Sequence, residues 1–238
     1  MLTKPTVTKN VNIAIIGSNF IVDTFLQAAV KVDYFNFYAI YSRRYETGAE
    51  KTTQFLIDNP TIKDSLESDI KVFTDLTLML ADNNIDAVYI TSPNSHHGAQ
   101  AIACLNAGKH VLGEKPSAAN VDELEQILIA AKNNNCCYME ALMSLHVPNF
   151  SVLKQHLPRI GKPRKYFGQY CQYSSRYSAV LASLAKQKTT GITQEIPNTF
   201  LPEFANGALM DIGIYPLYPV IALWGTPQSI SAQGVLLE

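Results

Sequence analysis

The sequence predicts an α/β protein: a doubly wound parallel sheet followed by a partial α+β domain with an antiparallel sheet. Short apolar runs alternate with segments of helical periodicity over the first 140 residues, as in sheets built from strand–helix–strand units. Polar turns follow several of these runs, and beyond Glu140 the alternation gives way to aromatic-rich and loop-like stretches. We therefore expect one domain at residues 1–140 and an incomplete second domain at 141–238.

The composition argues against nucleic-acid-binding, membrane, secreted and metal-binding classes of protein. The chain has 238 residues, 47% of them apolar, which is enough for a sizeable core, and its formal net charge is −1. We expect no nucleic-acid partner because there is no basic excess, and no membrane partner because no uninterrupted apolar run approaches the roughly 18 residues of a span. The N-terminus lacks a signal-peptide core, and the four cysteines and five histidines lack metal-binding spacing. These observations predict a cytoplasmic protein with reduced cysteines and no metal site.

The first domain reads as six strands and five helices. Apolar runs predict strands at residues 11–16, 37–41, 70–73, 87–90, 110–112 and 136–139. Helical spacing predicts helices at 20–32 and 46–57, a short helix through Ala81 capped by Asp75, a helix stopped by Gly108, and a helix at 121–132 capped by Asn120.

The second domain is less regular. We expect helices at 148–157 and 179–186, and a buried helix at 207–224. Strands are expected at 162–175, which is rich in Tyr and Phe, and at 227–237.

The stretch 86–116 organises the chain. Its first strand ends in the turn Thr91-Ser92-Pro93-Asn94, and its second ends in Gly113-Glu114-Lys115-Pro116. Ligands of open parallel sheets bind beyond the carboxyl ends of the strands. Both turns lie at such ends, so their polar residues are expected at one edge of the sheet.

Three motifs in this stretch carry a family resemblance. Pro93-Asn94-x-x-His97, then Ala107-Gly108-Lys109-His110-Val111, then Glu114-Lys115-Pro116 resembles the Gfo/Idh/MocA family of nicotinamide-dependent oxidoreductases. The resemblance implies a Rossmann domain and a second domain whose broad antiparallel sheet serves substrate binding and often dimerisation. Here the chain stops after about two strands of that sheet, and both a shortened form and a natural short form remain open.

The first strand is followed by a degenerate dinucleotide turn. Gly17-Ser18-Asn19-Phe20-Ile21-Val22 stands where G-x-G-x-x-G is expected, and only the first glycine is present. Asn19 tolerates left-handed backbone angles better than most residues, so the turn could persist with a looser phosphate contact. The helix N-terminus still offers backbone donors to a phosphate. We predict dinucleotide contacts at Gly17, Ser18, Asn19, Phe20 and Ile21, against the alternative of an ordinary strand–helix turn.

The end of the second strand bears on cofactor choice. It reads Ser42-Arg43-Arg44, with no acid before Glu46, whereas NAD enzymes usually place an acid there. Arg43 can form a fork with a 2′-phosphate, so we favour NADP, with NAD possible and surface arginines as the alternative. The predicted cofactor contacts on the remaining strand ends are Ser42, Arg43, Thr91, Ser92, Pro93, Asn94, His97, Glu114 and Lys115.

The resemblance also implies a catalytic set. Lys115 would contact nicotinamide and substrate, Glu114 would help hold it, and a cis peptide before Pro116 would direct it into the cleft. Asp211 and Tyr215, four residues apart on one helix face, resemble the family's second motif, in its dihydrodiol dehydrogenase and glucose-fructose oxidoreductase branch. The Lys115 cation would favour the phenolate of Tyr215 and ease proton exchange with a carbinol oxygen. The alternatives are a surface salt-bridge lysine and a buried core tyrosine.

The expected activity is hydride transfer between nicotinamide and a carbinol or carbonyl of a sugar, polyol or dihydrodiol-like small molecule. We also expect a homo-oligomer, with a dimer favoured. The alternative is a dinucleotide-binding regulator or sensor of the same family without turnover, which the degenerate glycine turn and short second domain favour.

Overall fold

The computed structural model describes residues 10–65, 69–191 and 196–235. The chain divides into two compact units. The first unit comprises Met1–Ala141 together with Glu203–Ala205, and the second comprises Leu142–Pro202 and Asn206–Glu238.

A single six-stranded sheet forms the centre of the first unit. Its strands are β1 (Val11–Ile16), β2 (Phe35–Tyr41), β3 (Lys71–Phe73), β4 (Ala87–Ile90), β5 (His110–Gly113) and β6 (Tyr138–Glu140). Every pairing is parallel and the strand order is β3-β2-β1-β4-β5-β6. The order reverses between β1 and β4, which makes the carboxyl ends of these two strands the switch point where such sheets bind nucleotides. The predicted Rossmann sheet is confirmed.

Six helices accompany this sheet within the residues that the structure describes. They are α1 (Phe20–Ala29), α2 (Tyr45–Asp58), α3 (Pro60–Ser65), α4 (Leu76–Leu80), α5 (Asn94–Asn106) and α6 (Val121–Asn133). The sequence did not predict α3, which begins at Pro60, shortly after the helix predicted at 46–57. Proline is tolerated at the first helical position because its missing N–H has no intrahelical partner there. Asp75 and Asn120 cap α4 and α6 as predicted.

Apolar side chains cover both faces of the sheet. One core cluster joins Ile16, Val88 and Ile90 to side chains of α5 and α6, such as Leu105 and Ile127. The other cluster joins the alternate strand residues to α1 and α2, with Ile15, Phe37, Ile40, Tyr89, Val22, Leu26 and Phe55 as members. Helices on both faces explain why the strands read as continuous apolar runs rather than as alternating patterns.

The regular structure in the described part of the second unit is helical. It contains α7 (Pro148–His156), α8 (Tyr177–Thr190) and α9 (Ile214–Trp224), with short 3₁₀ segments and a π-helical turn at Leu209–Gly213. Among the described residues no strand follows Glu140, so the expected antiparallel sheet is not confirmed. The stretches 162–175 and 227–235 carry no regular structure, and residues 236–237 of the second predicted strand lie outside the described residues. A strand needs a hydrogen-bonded neighbour, which residue propensity alone does not supply.

The expected buried helix at 207–224 is wrong in two respects. Its first part is the π-helical turn, where Leu209 is 65% exposed, and α9 contains no buried residue, with Leu217 53% exposed. The stretch Pro202–Trp224 also meets the length and composition of a membrane span, with a mean hydropathy of 1.3. This is weak evidence for a span, because core helices of other proteins pass the same test. The α-helical part has 11 residues, which at about 1.5 Å each is near half of a bilayer's hydrocarbon core.

Candidate functional site

Gly17 lies directly at the switch point of the sheet. Its φ is +114°, and its N–H donates to the Tyr41 carbonyl at 3.2 Å. A Cβ here would collide with the Thr91 hydroxyl oxygen and approach the Thr91 carbonyl carbon at 3.2 Å. Both the backbone angle and the contact with the end of β4 therefore require glycine at this position.

Asn19 ties the first turn to the second. Its side-chain oxygen accepts from the Ile21 N–H at 3.1 Å, which caps α1, and its Nδ2 donates to the Thr91 carbonyl at 2.7 Å. The Asn19 φ of −73° is not left-handed, so the expected backbone role is wrong. Asn19 acts through its side chain, which caps the helix and cross-links the two strand ends.

Ser18, Phe20 and Val22 complete this turn around Asn19. Val22, where the third glycine was expected, is fully buried against the sheet, and its N–H donates to the Asn19 carbonyl at 3.1 Å. Phe20, the first residue of α1, is 70% exposed, and Ser18 is partly exposed. The predicted phosphate-binding residues thus lie together at the N-terminus of α1.

The turn after β4 is held by its own hydrogen bonds. Thr91 is buried, its hydroxyl donates to the Ile16 carbonyl at 3.0 Å, and its N–H donates to the same oxygen at 2.8 Å. The Ser92 hydroxyl donates to Gln100 Oε1 at 2.6 Å. Pro93 is the N-cap residue of α5, and the Asn94 Nδ2 donates to the Ala205 carbonyl at 3.2 Å within the same unit. Hydrogen bonds within the protein therefore hold the turn after β4 in place at the crevice.

The turn after β2 carries the positive charge of Arg43 and no acidic residue before Glu46. Ser42 is buried, and its N–H donates to the Phe73 carbonyl at 3.0 Å. Arg43 and Arg44 are exposed, and the first acid, Glu46, lies in the first turn of α2. Arg43 is thus placed two residues beyond the end of β2, next to the anchored Ser42, as a ribose 2′-phosphate would require.

Lys115 lies in the turn that follows β5. The Glu114 N–H donates to the Ile90 carbonyl at 2.8 Å, and the Lys115 N–H donates to Glu114 Oε2 at 3.3 Å. The Lys115–Pro116 peptide is cis, as expected, and Lys115 is partly exposed. The Tyr89 hydroxyl donates to the other Glu114 oxygen at 2.6 Å. Burial, together with this carboxylate, raises the pKa of Tyr89, so the hydroxyl stays a donor at neutral pH.

His97 bridges two turns from inside the fold. Its ring is 2% exposed, with Nδ1 2.8 Å from the Pro116 carbonyl oxygen and Nε2 2.8 Å from the Ser92 carbonyl oxygen. A cofactor contact through a ring nitrogen would have to break one of these contacts. Both ring nitrogens thus lie at hydrogen-bond distance from backbone carbonyls beneath the crevice, and the predicted cofactor contact of His97 stays a prediction.

Asp211 and Tyr215 belong to the second unit. The Asp211 N–H donates to the Gly207 carbonyl at 2.9 Å, and Asp211 lies in the π-helical turn that precedes α9. Tyr215 is the second residue of α9, and its ring stacks on Tyr170 at 5.2 Å with an interplanar angle of 19°. Both residues are partly exposed. Within the part of the chain that the structure describes, no group of three or more His, Cys, Asp or Glu side chains is placed to hold a metal ion.

Sequence reasoning missed Tyr89 and Gln100. Tyr89 belongs to the apolar run of β4 and was taken as core, while Gln100 is half-buried in α5 and belongs to none of the motifs. The signal for Tyr89 was its hydroxyl, because a buried tyrosine needs a polar partner and Glu114 lies one strand away.

Comparison with known proteins settles the family. The GFO_IDH_MocA model, described as an oxidoreductase family with an NAD-binding Rossmann fold, matches residues 11–142. The chain belongs to this family. The predicted resemblance is thereby confirmed.

Individual relatives extend beyond the matched domain. The chain is 41% identical over 228 residues to the scyllo-inositol 2-dehydrogenase (NADP(+)) IolU of Bacillus subtilis (strain 168), covering 96% of this chain and 62% of that protein. It is 38% identical to the uncharacterized oxidoreductase YgjR of Escherichia coli (strain K12), with 95% and 62% covered. The chain thus spans about three fifths of the length of these relatives. A levoglucosan dehydrogenase structure in complex with NADH and levoglucosan shares the fold, with a TM-score of 0.73, 24% identity, and 91% of this chain and 54% of that one covered.

Proposed function

We propose that this protein is an NADP-dependent oxidoreductase that transfers hydride between nicotinamide and a CH–OH or carbonyl group of a sugar, polyol or dihydrodiol-like molecule. The observation that carries the proposal is the turn at the switch point, where Gly17, Asn19 and Thr91 join the ends of β1 and β4. Family membership supports the reaction class, and the NADP-dependent inositol dehydrogenase relative supports a cyclic polyol as the first substrate to test.

The residues of the first unit fit a dinucleotide. Gly17 makes the tight turn off β1 in close contact with Thr91, and the N-terminus of α1 provides backbone donors beside it. Arg43 is exposed at the end of β2, where a guanidinium can pair with a 2′-phosphate through two hydrogen bonds. The bound nicotinamide would donate or accept the hydride.

The proton would be handled by the protein. Tyr215 is assigned as the group that gives a proton to the carbonyl oxygen or takes it from the alcohol, and Lys115 as the cation that orients this oxygen. Asp211 is assigned to position substrate hydroxyls. The motif order and the partial exposure of all three side chains support these roles.

Cofactor preference is tested by titration of nicotinamide fluorescence. NADPH should bind more tightly than NADH, and Arg43→Ala should weaken NADPH by about 1.5–3 kcal/mol, the range for a hydrogen bond to a charged group, while NADH changes little. Arg164→Ala removes one exposed positive charge in the second unit and serves as the control. Equal losses for both cofactors would contradict the assignment of Arg43.

Turnover is tested with a panel of cyclic polyols and sugars. Tyr215→Phe should lower kcat by about 10²–10⁴-fold, the usual contribution of general acid–base catalysis, with NADPH affinity unchanged. Tyr173→Phe, which removes a tyrosine hydroxyl from a ring that is 70% exposed in the same unit, should leave kcat intact. NADPH binding without turnover of any substrate would favour the regulator over the enzyme.

We also propose self-association and a reducing compartment. In the second unit Phe167 is 78%, Ile230 83% and Val235 88% exposed, and apolar surface of this kind favours contact between copies. All four cysteines are free thiols, which agrees with a cytoplasmic location. Light scattering across micromolar concentrations tests the association, and a monomer at every concentration would refute it.

A further inference from the structure

We propose that Tyr89 and His97 are positioning residues that hold the Glu114-Lys115-Pro116 turn from two sides, and so fix where Lys115 acts. The proposal rests on the proposed function of Lys115. Tyr89 is assigned no contact with substrate or cofactor, and the His97 ring, a predicted cofactor contact, lies between two backbone carbonyls. Each side chain reaches a residue adjacent to Lys115 in the chain.

The first support comes from the core beneath β4. Tyr89 is 3% exposed, and its ring packs against Phe25 with centroids 4.1 Å apart. Its hydroxyl donates to Glu114 Oε1 at 2.6 Å, while Glu114 Oε2 accepts the Lys115 N–H at 3.3 Å. A continuous path of contacts thus runs from a rigid strand to the backbone of Lys115, and both oxygens of Glu114 are used in it.

The second support comes from α5. His97 is buried, and its ring spans from the Ser92 carbonyl, after β4, to the Pro116 carbonyl, after β5. The neutral ring donates to one of these carbonyls, and the doubly protonated ring donates to both. The ring, with a nitrogen 2.8 Å from each carbonyl oxygen, occupies the space between the two turns that form the crevice. Lys115 therefore lies between one neighbour fixed by Tyr89 and another fixed by His97.

The position of Lys115 affects the rate more than its supports affect the stability of the fold. A displacement of about 1 Å in a group that orients a reacting atom can cost roughly 100-fold in rate. The turn keeps other anchors without these two side chains, since the Glu114 N–H still donates to the Ile90 carbonyl and the Ser117 N–H to Glu140 Oε1 at 2.9 Å. Loss of either support should therefore loosen Lys115 without unfolding the sheet.

Tyr89→Phe is the decisive variant because it removes one oxygen and keeps the packed ring. Its matched control is Tyr38→Phe, which removes a hydroxyl that donates to Asp82 Oδ2 at 3.1 Å, before β4 rather than after it. Hydrogen exchange of the Lys115 amide, measured on the cofactor-free full chain, should be several-fold faster in Tyr89→Phe and unchanged in Tyr38→Phe. His97→Gln, which keeps a donor, and His97→Phe, which keeps an aromatic ring, should show graded acceleration of exchange at the Lys115 and Ser117 amides, which flank Pro116.

Kinetics then separate positioning from simple destabilisation. Tyr89→Phe should lower kcat by roughly tenfold, as expected for the loss of one hydrogen bond, with KM and NADPH affinity within about twofold of the parent. Glu114→Gln combined with Tyr89→Phe should lose little more than Glu114→Gln alone, because both act through one contact.

Unchanged exchange at Lys115 in both the Tyr89 and the His97 variants would overturn the proposal. A parallel fall in kcat and NADPH affinity would overturn it too, because that pattern indicates general damage. A parent without turnover would instead count against the proposed function, and the exchange measurement would still decide the positioning roles.

Discussion

Asn19→Ala separates the two contributions of Asn19 to the nucleotide turn. The side chain caps α1 through the Ile21 N–H and joins the turn to the Thr91 carbonyl, 72 residues away in the chain. Loss of an N-cap costs about 1 kcal/mol, and loss of the second hydrogen bond about 0.5–1.5 kcal/mol more. The free energy of unfolding should therefore fall by about 1.5–2.5 kcal/mol, which corresponds to a Tm lower by about 3–10 °C for a chain of this size.

Three further variants show which bond matters. Asn120→Ala removes an N-cap of α6 that accepts from the Glu123 N–H at 2.9 Å, and should cost about 1 kcal/mol. Asn19→Asp keeps the capping oxygen but loses the donor to Thr91, so it should cost at least as much as the Thr91 bond alone. Asn19→Gly largely keeps the N-cap stabilisation but removes the bond to the Thr91 carbonyl, so the free energy of unfolding should fall. It also frees the Ile21 N–H, so NADPH affinity should hold or rise.

Urea unfolding followed by circular dichroism measures the free energies, and nicotinamide fluorescence measures the affinities. If Asn19→Ala costs no more than Asn120→Ala, the cross-link to Thr91 contributes nothing. If Asn19→Gly weakens both stability and NADPH binding, the side chain is part of the nucleotide site rather than only a support for it.

Three other predictions follow from the first unit and the thiols. Gly17→Ala should destabilise the protein by about 1–3 kcal/mol in urea unfolding and abolish NADPH binding, whereas Gly108→Ala, also at positive φ but with no atom within 4 Å of the added Cβ, should cost less and bind normally. Burial alone would raise the pKa of Asp82, but hydrogen bonds from Lys71, Asn84 and Tyr38 hold this pKa at about 2, below its ordinary value near 3.9. Its contribution to stability should be present above about pH 4 and lost as the pH falls toward 2, so Asp82→Asn should flatten the acid limb of the unfolding curve. At neutral pH a thiol reagent should modify the exposed Cys137 and Cys171 first, because burial raises the pKa of Cys136 and raises that of Cys104 to about 12; rapid modification of Cys104 in the folded protein would contradict its burial.

The sequence by itself determined the first unit's architecture. Six apolar runs became six strands, and the caps Asp75 and Asn120 act as predicted. These signals are local. A strand buried on both faces has a continuous apolar sequence, and an N-cap side chain needs a partner only two or three residues away. The motifs around Lys115 gave the family because their order and spacing are also properties of the chain alone.

Only the tertiary structure decided how the candidate site is supported. The partner of Asn19 is 72 residues away, that of Tyr89 is 25 residues away, and His97 reaches Pro116 across 19 residues. No periodicity encodes such contacts, because they depend on which strand ends become neighbours in the sheet. The expected antiparallel strands failed for the same reason: aromatic residues favour an extended chain, but a strand forms only where a partner's backbone lies alongside it.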